Sequence, residues 1–579
     1  MKAKKVQERV QSAPAGDQRL GWYSGAAAAL IAFFWAYSPA MHAPFVFDDT
    51  KQIFAMGRQS GSLWDWMRTP IRPLLMGTYW FNHWLSQDDT YTYHVVNLLI
   101  HATTTFFVWL ILRRLAEWSG MEKRLRELLS AFGAALFLLH PAQTESVVYI
   151  AGRSESLSGM FAAASLAAFL YRKHTAISLL RAAAVVALAV AAILCKEHGV
   201  VLFAVFLLTD YWWNPGFSMK GIAGNWRLYL PLLAGVAAAG VLFAKLIMGI
   251  GTGGSAGFAM KDFTWYQYLF TQFRVIVTYI LSFVLPFNLN ADWDFAISHN
   301  ILEHGAVFYL IFLLACAALA VRYRRGFALS GYGFFVFLIL LLPTSSILPI
   351  QDPIAERRMY LPILGLILIA IDLLRRLRME SKAVAALAGA VILFCAFVTH
   401  ARAEAWSDPV KLWQDTAAKS PNKFRPHFQL AFAYYEQQQY DRAIAEFEKT
   451  AAIQKPTLDM LMDWGLAYDG LNLPDKALEK FREAAAMEPS AHAWSQVAYI
   501  YAKQQRWKEA LDALDKAEKI SAEFPAIWMY RGQIALATNQ PAVAIQLFQR
   551  ALELDSSQVP AREGMVQAQR MLAAGAGRR

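Results

Sequence analysis

The residues with the clearest chemical potential are Asp48 and Asp49, which directly follow the apolar run Phe45-Val46-Phe47. An apolar segment over residues 20–41 precedes them, so the pattern places both carboxylates at a membrane surface. An apolar rim partly desolvates a carboxylate and raises its proton affinity, as a general base requires. A solvated acidic loop or a helix cap accounts for the same two residues. On these residues alone, both interpretations stay open.

Other charged or polar side chains lie at or near the ends of apolar segments, on the side that we predict to be non-cytoplasmic. The candidates for binding a substrate or its phosphate are Arg72, His94, Asn97, Glu145, Arg153, Lys196, Glu197, Glu356 and Arg357. Burying charge near a bilayer is costly, so its concentration at one face indicates a functional site. A phosphate would compensate Arg357 and its neighbour Arg358, which enter a predicted span from the outer side, against the usual excess of cations on the cytoplasmic side.

Structural explanations compete with several of these assignments. Arg153 can pair with a glutamate instead of an anionic ligand, and Arg357 can pair with its neighbour Glu356. His94, Asn97 and His101 share one helix face and could simply make hydrogen bonds between helices.

The chain has 579 residues, of which 56% are hydrophobic, and its two parts differ in composition. Residues 410–579 hold 21 basic and 20 acidic residues, so the net charge of +11 lies almost entirely in the first part. There we predict eleven membrane spans, near residues 20–41, 94–114, 130–150, 155–171, 177–195, 198–213, 228–248, 304–321, 331–349, 359–374 and 383–401.

The distribution of arginine and lysine sets the predicted topology. The basic clusters alternate correctly only if residues 266–286 are re-entrant or lie in the interface, without crossing. The N-terminus is then cytoplasmic, and eleven spans place the C-terminal part on the opposite side. We expect residues 20–41 to be a retained anchor. The basic excess follows from this topology and does not indicate nucleic-acid binding.

Several classes of chemistry have no support in the sequence. The three cysteines, at 195, 316 and 395, have neither a disulfide pattern nor metal-ligand spacing. The glycine-rich segment 249–257 lacks the Gly-Lys-Ser/Thr ending of a phosphate-binding loop. We therefore expect no metal and no cofactor. A donor reached from the outer side is more plausibly a lipid-linked phosphate than a cytosolic nucleotide.

The C-terminal part repeats with a period of about 34 residues. Small residues recur at Ala443, Ala477, Ala510 and Ala544, each followed four positions later by a large apolar residue. This pattern is typical of tetratricopeptide repeats, which are helix pairs stacked into a solenoid.

Taken together, the segments resemble the transmembrane and tetratricopeptide-repeat O-mannosyltransferases and their bacterial relatives. The matching elements, in chain order, are Phe-Asp-Asp at 47–49, Arg72-Pro73-Leu74, Tyr93 to Asn97, His140-Pro141 through Glu145, Gly152-Arg153, Lys196-Glu197 and Ala355-Glu356-Arg357. The resemblance covers the membrane part and the repeats, in that order.

The resemblance implies a type C glycosyltransferase fold, a polyprenyl-phosphate sugar donor and a protein or peptide acceptor held by the repeats. It implies that an aspartate of the first outer loop is the catalytic base; we favour Asp49 over Asp48. The sugar itself is a substrate, transferred with inversion to Ser or Thr hydroxyls. The protein would then lie in a bacterial inner membrane, with periplasmic repeats.

The predicted all-α architecture has four parts. They are a cytoplasmic tail at 1–19, a transmembrane glycosyltransferase domain at 20–401 whose first outer loop is 42–92, a linker or helix at 402–423, and the repeat domain at 424–579. Two other functions remain open. One is a membrane-anchored repeat adaptor without catalysis, and the other is a polysaccharide or oligosaccharide ligase.

Overall fold

The computed structural model describes residues 15–51, 61–69, 71–249, 256–258, 260–377 and 379–576. Within these residues all regular secondary structure is helical. The described residues also contain an isolated β-bridge between Ala256 and Ile350. The all-α prediction is confirmed. Parts of the predicted tail 1–19, of the first outer loop 42–92 and of the glycine-rich segment 249–257 lie outside the described residues.

The chain divides into two compact units, Met1–Asp415 and Thr416–Arg579. The first contains α1 (Ala15–Tyr37), α2 (Leu63–Met67), α3 (Pro73–Ser86), α4 (Tyr91–Trp118), α5 (Lys123–Leu139), α6 (Thr144–Val148), α7 (Arg153–Leu170), α8 (Leu179–Cys195), α9 (Leu202–Trp213), α10 (Lys220–Gly224), α11 (Trp226–Gly249), α12 (Trp265–Val284), α13 (Ala306–Arg322), α14 (Ala328–Leu341), α15 (Ile363–Leu374) and α16 (Ser381–Trp406). Helix α17 (Pro409–Lys419) crosses the boundary between the units.

Among the described residues, three helices are long and apolar enough to cross a bilayer. They are Tyr91–Trp118, Glu303–Arg322 and Lys382–Trp406, and a bent pair formed by α5 and Pro141–Val148 makes a fourth if it counts as one span. Shorter apolar helices include α8, α14 and α15. The eleven-span count therefore stays a prediction, as does the non-crossing role of residues 266–286, which form most of the continuous helix α12.

The interior of the first unit relies on small residues where helices meet. Gly333 in α14 and Gly365 in α15 face each other so closely that a Cβ atom on either would meet the backbone carbonyl of the other. Apolar helices in a membrane gain little from excluding water, so close packing of this kind contributes to holding them together.

Proline determines where the site-forming loop leaves the membrane helices. Helix α5 ends at Leu139, a 3-10 turn follows at Pro141–Gln143, and α6 continues at an angle of 50°. The sequence predicts this break, because Pro141 lacks the amide hydrogen that a continuous helix needs. Beyond the bend, Tyr149 contacts Asp48 and Phe47 of the first outer loop, and Glu145 contacts Arg357.

The second unit consists of helix pairs. Its helices are α18 (Phe424–Glu436), α19 (Tyr440–Ile453), α20 (Leu458–Gly470), α21 (Pro474–Met487), α22 (Ala491–Lys503), α23 (Trp507–Ile520), α24 (Pro525–Ala537), α25 (Pro541–Leu554) and α26 (Val559–Ala576). The four periodic alanines are fully buried, and so are Phe447, Phe481, Leu514 and Phe548. Gly465 packs on Phe481, and Gly532 on Phe548. The periodic residues therefore form the core of four stacked repeats.

The contact between α14 and α15 makes a prediction about stability. Gly365→Ala should destabilise the protein by about 1–3 kcal/mol, because a Cβ there meets the backbone of Gly333 and Phe337. Gly389→Ala in α16 is the matched control, since nothing lies within 4 Å of the added Cβ. There alanine should be neutral or stabilising by up to ~1 kcal/mol. Thermal unfolding in detergent measures both, and equal melting temperatures would contradict the prediction.

Candidate active site

Asp49 is held in a buried position by two backbone amides. It lies in the 3-10 turn Phe47–Lys51 and is 1% exposed. One carboxylate oxygen accepts a hydrogen bond from Val46 N at 3.2 Å, and the other accepts from Ala151 N at 2.7 Å. The Val46 bond is local, as a capping role predicts, but the Ala151 bond joins residues 102 positions apart. Asp49 is therefore not a solvated loop residue.

Burial raises the pKa of Asp49 from 3.8 to about 8, although the two backbone hydrogen bonds act in the opposite direction. A carboxyl group whose charged form is poorly solvated binds a proton more readily. Its proton affinity thus lies near that of a general base that works close to neutral pH.

Asp48 is held differently. It is half-buried, and its backbone N–H donates to the hydroxyl of Tyr149 at 2.9 Å. The preceding residue, Phe47, has φ of 57°, a conformation that a large side chain rarely adopts. Its ring lies against Tyr149 and Trp413, with centroid distances of 6.1 and 5.7 Å. These aromatic contacts support the turn that directs Asp49 inward.

Arg153 is a buried structural cation. Its guanidinium donates to Asn97 Oδ1 at 2.6 Å, Asn82 Oδ1 at 2.7 Å and the carbonyl of Tyr93 at 2.9 Å, and lies over the ring of Tyr79. The side chain is fully buried. Protein acceptors use the Arg153 donors in this structure, so the side chain belongs to the framework of the site, and its phosphate contact stays a prediction.

The same holds for two other candidates. Asn97 accepts from Arg153 and donates to Val147 O at 3.1 Å, and His94 Nε2 lies 3.0 Å from Ala43 O. Both are buried. His94 ties α4 to the segment that precedes Asp49, and Asn97 ties α4 to the segment that leads to Ala151, so both residues position the site.

Three further candidates form two ion pairs. Arg72 makes a two-pronged pair with Glu197, at 2.7 and 3.1 Å, and Lys196 contacts Glu155 at 2.5 Å. Burial would raise the pKa of Glu197, but the Arg72 guanidinium outweighs it and lowers that pKa to about 2. The Arg72–Glu197 pair is thus charged at neutral pH. Glu155 is a site residue that our sequence prediction missed.

Arg357 pairs with Glu145 and not with Glu356. Its backbone N–H and its guanidinium both bind the Glu145 carboxylate, at 2.9 and 2.5 Å. Glu356 instead accepts a hydrogen bond from Asn290 N, so the predicted alternative of a Glu356–Arg357 pair is wrong. Glu145 is 1% exposed, whereas the Arg357 side chain retains 21% exposure. Arg357 can therefore reach an anion and keep its partner.

A cavity that opens to solvent is lined by Glu155, the partner of Lys196, and by Arg358, the neighbour of Arg357. Polar side chains line part of it, and apolar ones line the rest. The lining residues that were not predicted as site residues include Glu155, His198, Tyr360, Leu202 and Leu340; Arg358 also lines the cavity and was predicted with Arg357 as an arginine that a phosphate would compensate. Arg358 follows Arg357 directly, so its proximity was visible in the sequence. The other lining residues come from distant parts of the chain, such as Glu155 and Leu340, and only the tertiary structure brings them together.

The described residues contain no group of three or more His, Cys, Asp or Glu side chains placed to hold a metal ion. The described part of the chain thus presents a buried carboxylate, paired cations and a cavity of mixed polarity, on membrane-type helices. The second unit presents stacked helix pairs. This combination defines an all-α protein with helices long and apolar enough to cross a bilayer, a charged site and a helical repeat domain.

Comparison with known proteins agrees with this class. A family model described as tetratricopeptide repeat matches residues 462–526 and 521–559. A protein O-mannosyl-transferase of Caenorhabditis elegans is 25% identical over 381 residues, which cover 62% of this chain and 50% of the relative. The Homo sapiens protein O-mannosyl-transferase TMTC3 is 22% identical over 536 residues, covering 84% of this chain and 57% of the relative. The predicted resemblance is confirmed. The chain spans about half the length of these curated relatives.

Some solved structures are similar to part of this chain. The crystal structure of MamA is 17% identical, covers 26% of this chain and 88% of its own, and has a TM-score of 0.24. YrrB, described as a TPR protein with an unusual peptide-binding site, is 15% identical, covers 31% and 88%, and also has a TM-score of 0.24.

The structure predicts that Arg153 matters for stability. Arg153→Leu should cost about 3 kcal/mol or more, because it leaves buried acceptors on Asn82, Asn97 and Tyr93 without donors. Arg72→Leu is the comparison, since its ion pair with Glu197 is partly exposed and should cost less. Thermal unfolding ranks the two variants, and an equal or smaller loss for Arg153→Leu would refute the assignment.

Proposed function

We propose that this chain is a membrane glycosyltransferase that moves a sugar from a polyprenyl-phosphate donor to Ser or Thr hydroxyls of a protein acceptor. The proposal includes a type C glycosyltransferase fold with about eleven spans. It places the reaction on the non-cytoplasmic face of a bacterial inner membrane, with a cytoplasmic N-terminus and periplasmic repeats. The names of the relatives favour mannose as the sugar and a protein as the acceptor.

The observation that carries the proposal is the environment of Asp49. Asp49 is 1% exposed, its carboxylate accepts hydrogen bonds from two backbone amides, and its pKa is raised. Burying a carboxylate in this way lowers the stability of the folded state, and a loop with only a structural role has no need of it. Asp49 lies on the first outer loop, where the resemblance expects the base. A repeat adaptor without catalysis gives no reason for such a group.

In the proposed reaction, Asp49 accepts the proton of an acceptor hydroxyl as its oxygen forms a bond to the anomeric carbon. The bond between that carbon and the phosphate oxygen breaks, and the electron pair leaves with the lipid phosphate. Attack opposite the leaving group inverts the anomeric centre. Arg357 neutralises the charge that develops on the phosphate, since it retains exposure beside its partner Glu145.

The cavity supports a lipid-linked donor. Its apolar wall, with Leu202 and Leu340, suits an isoprenoid chain, while Arg358 and His198 suit the polar end of the donor. Arg358 is held in place by hydrogen bonds from its guanidinium to the carbonyls of Asp352 and Pro353, at 2.7 and 2.9 Å.

We assign acceptor capture to the second unit. Tetratricopeptide repeats stack into extended surfaces that contact peptides and proteins. The family match at residues 462–559 falls within this unit. The membrane unit would then perform the chemistry, and the repeats would raise the local concentration of acceptor.

The proposed base predicts a pH profile. Since the active form of Asp49 is the carboxylate, kcat/KM should rise with pH and level off above about 8. Asp49→Asn should reduce turnover by ~10²–10⁴-fold and remove this dependence, because an amide cannot accept the proton. Transfer to a Ser/Thr peptide, measured across pH, checks both.

Asp48→Asn is the control for Asp49→Asn, because this neighbour is half-buried and contacts the site through its backbone. It should reduce turnover far less. If Asp49→Asn transfers sugar at the wild-type rate, Asp49 is not the base; a large loss in Asp48→Asn alone would exchange their roles.

The proposed phosphate contact makes a separate prediction. Arg357→Ala should weaken binding of a polyprenyl-phosphate sugar by roughly 10- to 100-fold, as expected for loss of a charge-assisted contact. Arg357→Lys should recover part of this affinity, because lysine keeps the charge without the two-pronged geometry. A direct donor-binding assay measures it, and unchanged affinity in a folded Arg357→Ala protein would exclude Arg357 from the site.

A further inference from the structure

The last turns of α16 contain two buried side chains, each with nitrogen donors that make no hydrogen bond within the described part of the chain. Arg402 is 6% exposed and Trp406 is 3% exposed. Arg402 Nε, Arg402 Nη2 and Trp406 Nε1 have no hydrogen-bond partner among the described residues. The two residues are four positions apart on one helix, so they share a face. The Arg402 guanidinium lies 6.0 Å from the centre of the Trp406 ring.

Buried donors almost always have partners, because an unpaired N–H loses its hydration without compensation. Three such donors on neighbouring side chains are therefore an exception that needs a cause. All three can only donate, so the group that satisfies them must carry acceptor oxygens.

The local charge shows which kind of acceptor fits. Arg402 Nη1 already binds Asp415 at 2.8 Å, and Nη2 lies 3.8 Å from the Glu356 carboxylate. Two carboxylates thus balance one guanidinium, and a phosphate placed here would face an excess of negative charge. A neutral hydroxyl avoids this conflict, because it accepts from Arg402 or Trp406 and can donate to a carboxylate.

These donors lie next to the proposed reaction centre. The Trp406 ring packs on Tyr149 at 5.7 Å, and the Tyr149 hydroxyl accepts from Asp48 N. On the other side, Glu356 directly precedes Arg357, the proposed phosphate contact. The sugar bonded to that phosphate must be reached by an acceptor hydroxyl that Asp49 deprotonates. It would therefore lie between Arg357 and Asp49, near Arg402 and Trp406.

We propose that Arg402 and Trp406 bind hydroxyl groups of the sugar carried by the lipid phosphate. This inference rests on the proposed function and adds the residues that recognise the transferred group. Both residues fall at the start of the region predicted from sequence as a linker, and neither was a candidate there. Their proposed role follows from three observations: the donors without hydrogen bonds, the two carboxylates of Asp415 and Glu356 beside Arg402, and the contact between Trp406 and Tyr149.

The test compares two ligands on the purified full-length protein in lipid nanodiscs: polyprenyl-phosphate mannose and the same polyprenyl phosphate without sugar. The ratio of their dissociation constants isolates the contribution of the sugar. In the wild type, the mannose-bearing lipid should bind more tightly. Trp406→Phe keeps an aromatic ring but removes the N–H, and should reduce this ratio by about 3- to 10-fold.

Arg402→Lys keeps a charge for Asp415 and removes the unpartnered guanidinium donors; it should reduce the ratio by about tenfold or more. Trp213→Phe is the matched control, because Trp213 Nε1 is also a buried donor without a partner but lies at the end of α9. It should leave the ratio unchanged. Should Arg402→Lys fail to fold, Trp406→Phe decides the question alone.

An unchanged ratio in folded Trp406→Phe would overturn the inference, and so would equal binding of the two lipids by the wild type. In either case sugar transfer could still occur, and the proposed function would stand. A wild type that binds neither lipid would refute the donor class and this inference together.

Discussion

The hydrogen bond from Ala151 N to the Asp49 carboxylate is the contact on which the candidate site depends. It joins the first outer loop to the turn after the bent helix pair, across 102 residues of chain. A low-exposure carboxylate gains from such a bond because the surroundings offer little other solvation. Arg153 donates to Asn97, and Asn97 donates to the carbonyl of Val147, so these two side chains hold the segment that leads to the same turn through neutral acceptors. The position of the proposed base is therefore set by this polar core together with the hydrogen bond from Val46 N within the loop.

Burial of Asp49 has opposite consequences for stability and for chemistry. The folded-state pKa of about 8 lies above the ordinary value of 3.8, so between these pH values the folded state binds more protons than the unfolded state. The contribution of this group to stability is thus fully present below pH 3.8 and is lost as the pH rises through about 8. The carboxylate form needed for proton transfer appears over the upper part of the same range. A group that functions at the expense of stability is typical of an active site.

The cations of the site separate into two kinds. Arg153 and Lys196 are buried and satisfied by the protein, and they act as part of the framework. Arg357 is paired with Glu145 but retains access, and Arg402 is buried with donors to spare. Only groups of the second kind can add a ligand without breaking an existing contact. This division explains how a face that carries many charges can still present a defined binding geometry.

The sequence by itself determined the all-α class, the break at Pro141 and the repeat core, and it singled out Asp48 and Asp49 without deciding between a base and a cap. All of these follow from local signals: apolar length, the missing amide hydrogen of proline, a period of 34 residues, and a carboxylate pair behind an apolar run. Only the tertiary structure decided which cation meets which partner. Arg357 binds Glu145 across 212 residues, and Arg153 is satisfied by amides and not by a carboxylate. Such choices depend on distances between helices far apart in the chain, and residue type and spacing along one helix do not encode them. For the same reason Arg402 and Trp406 had no sequence signal: their defining property, buried donors without acceptors, exists only once the surrounding helices are packed.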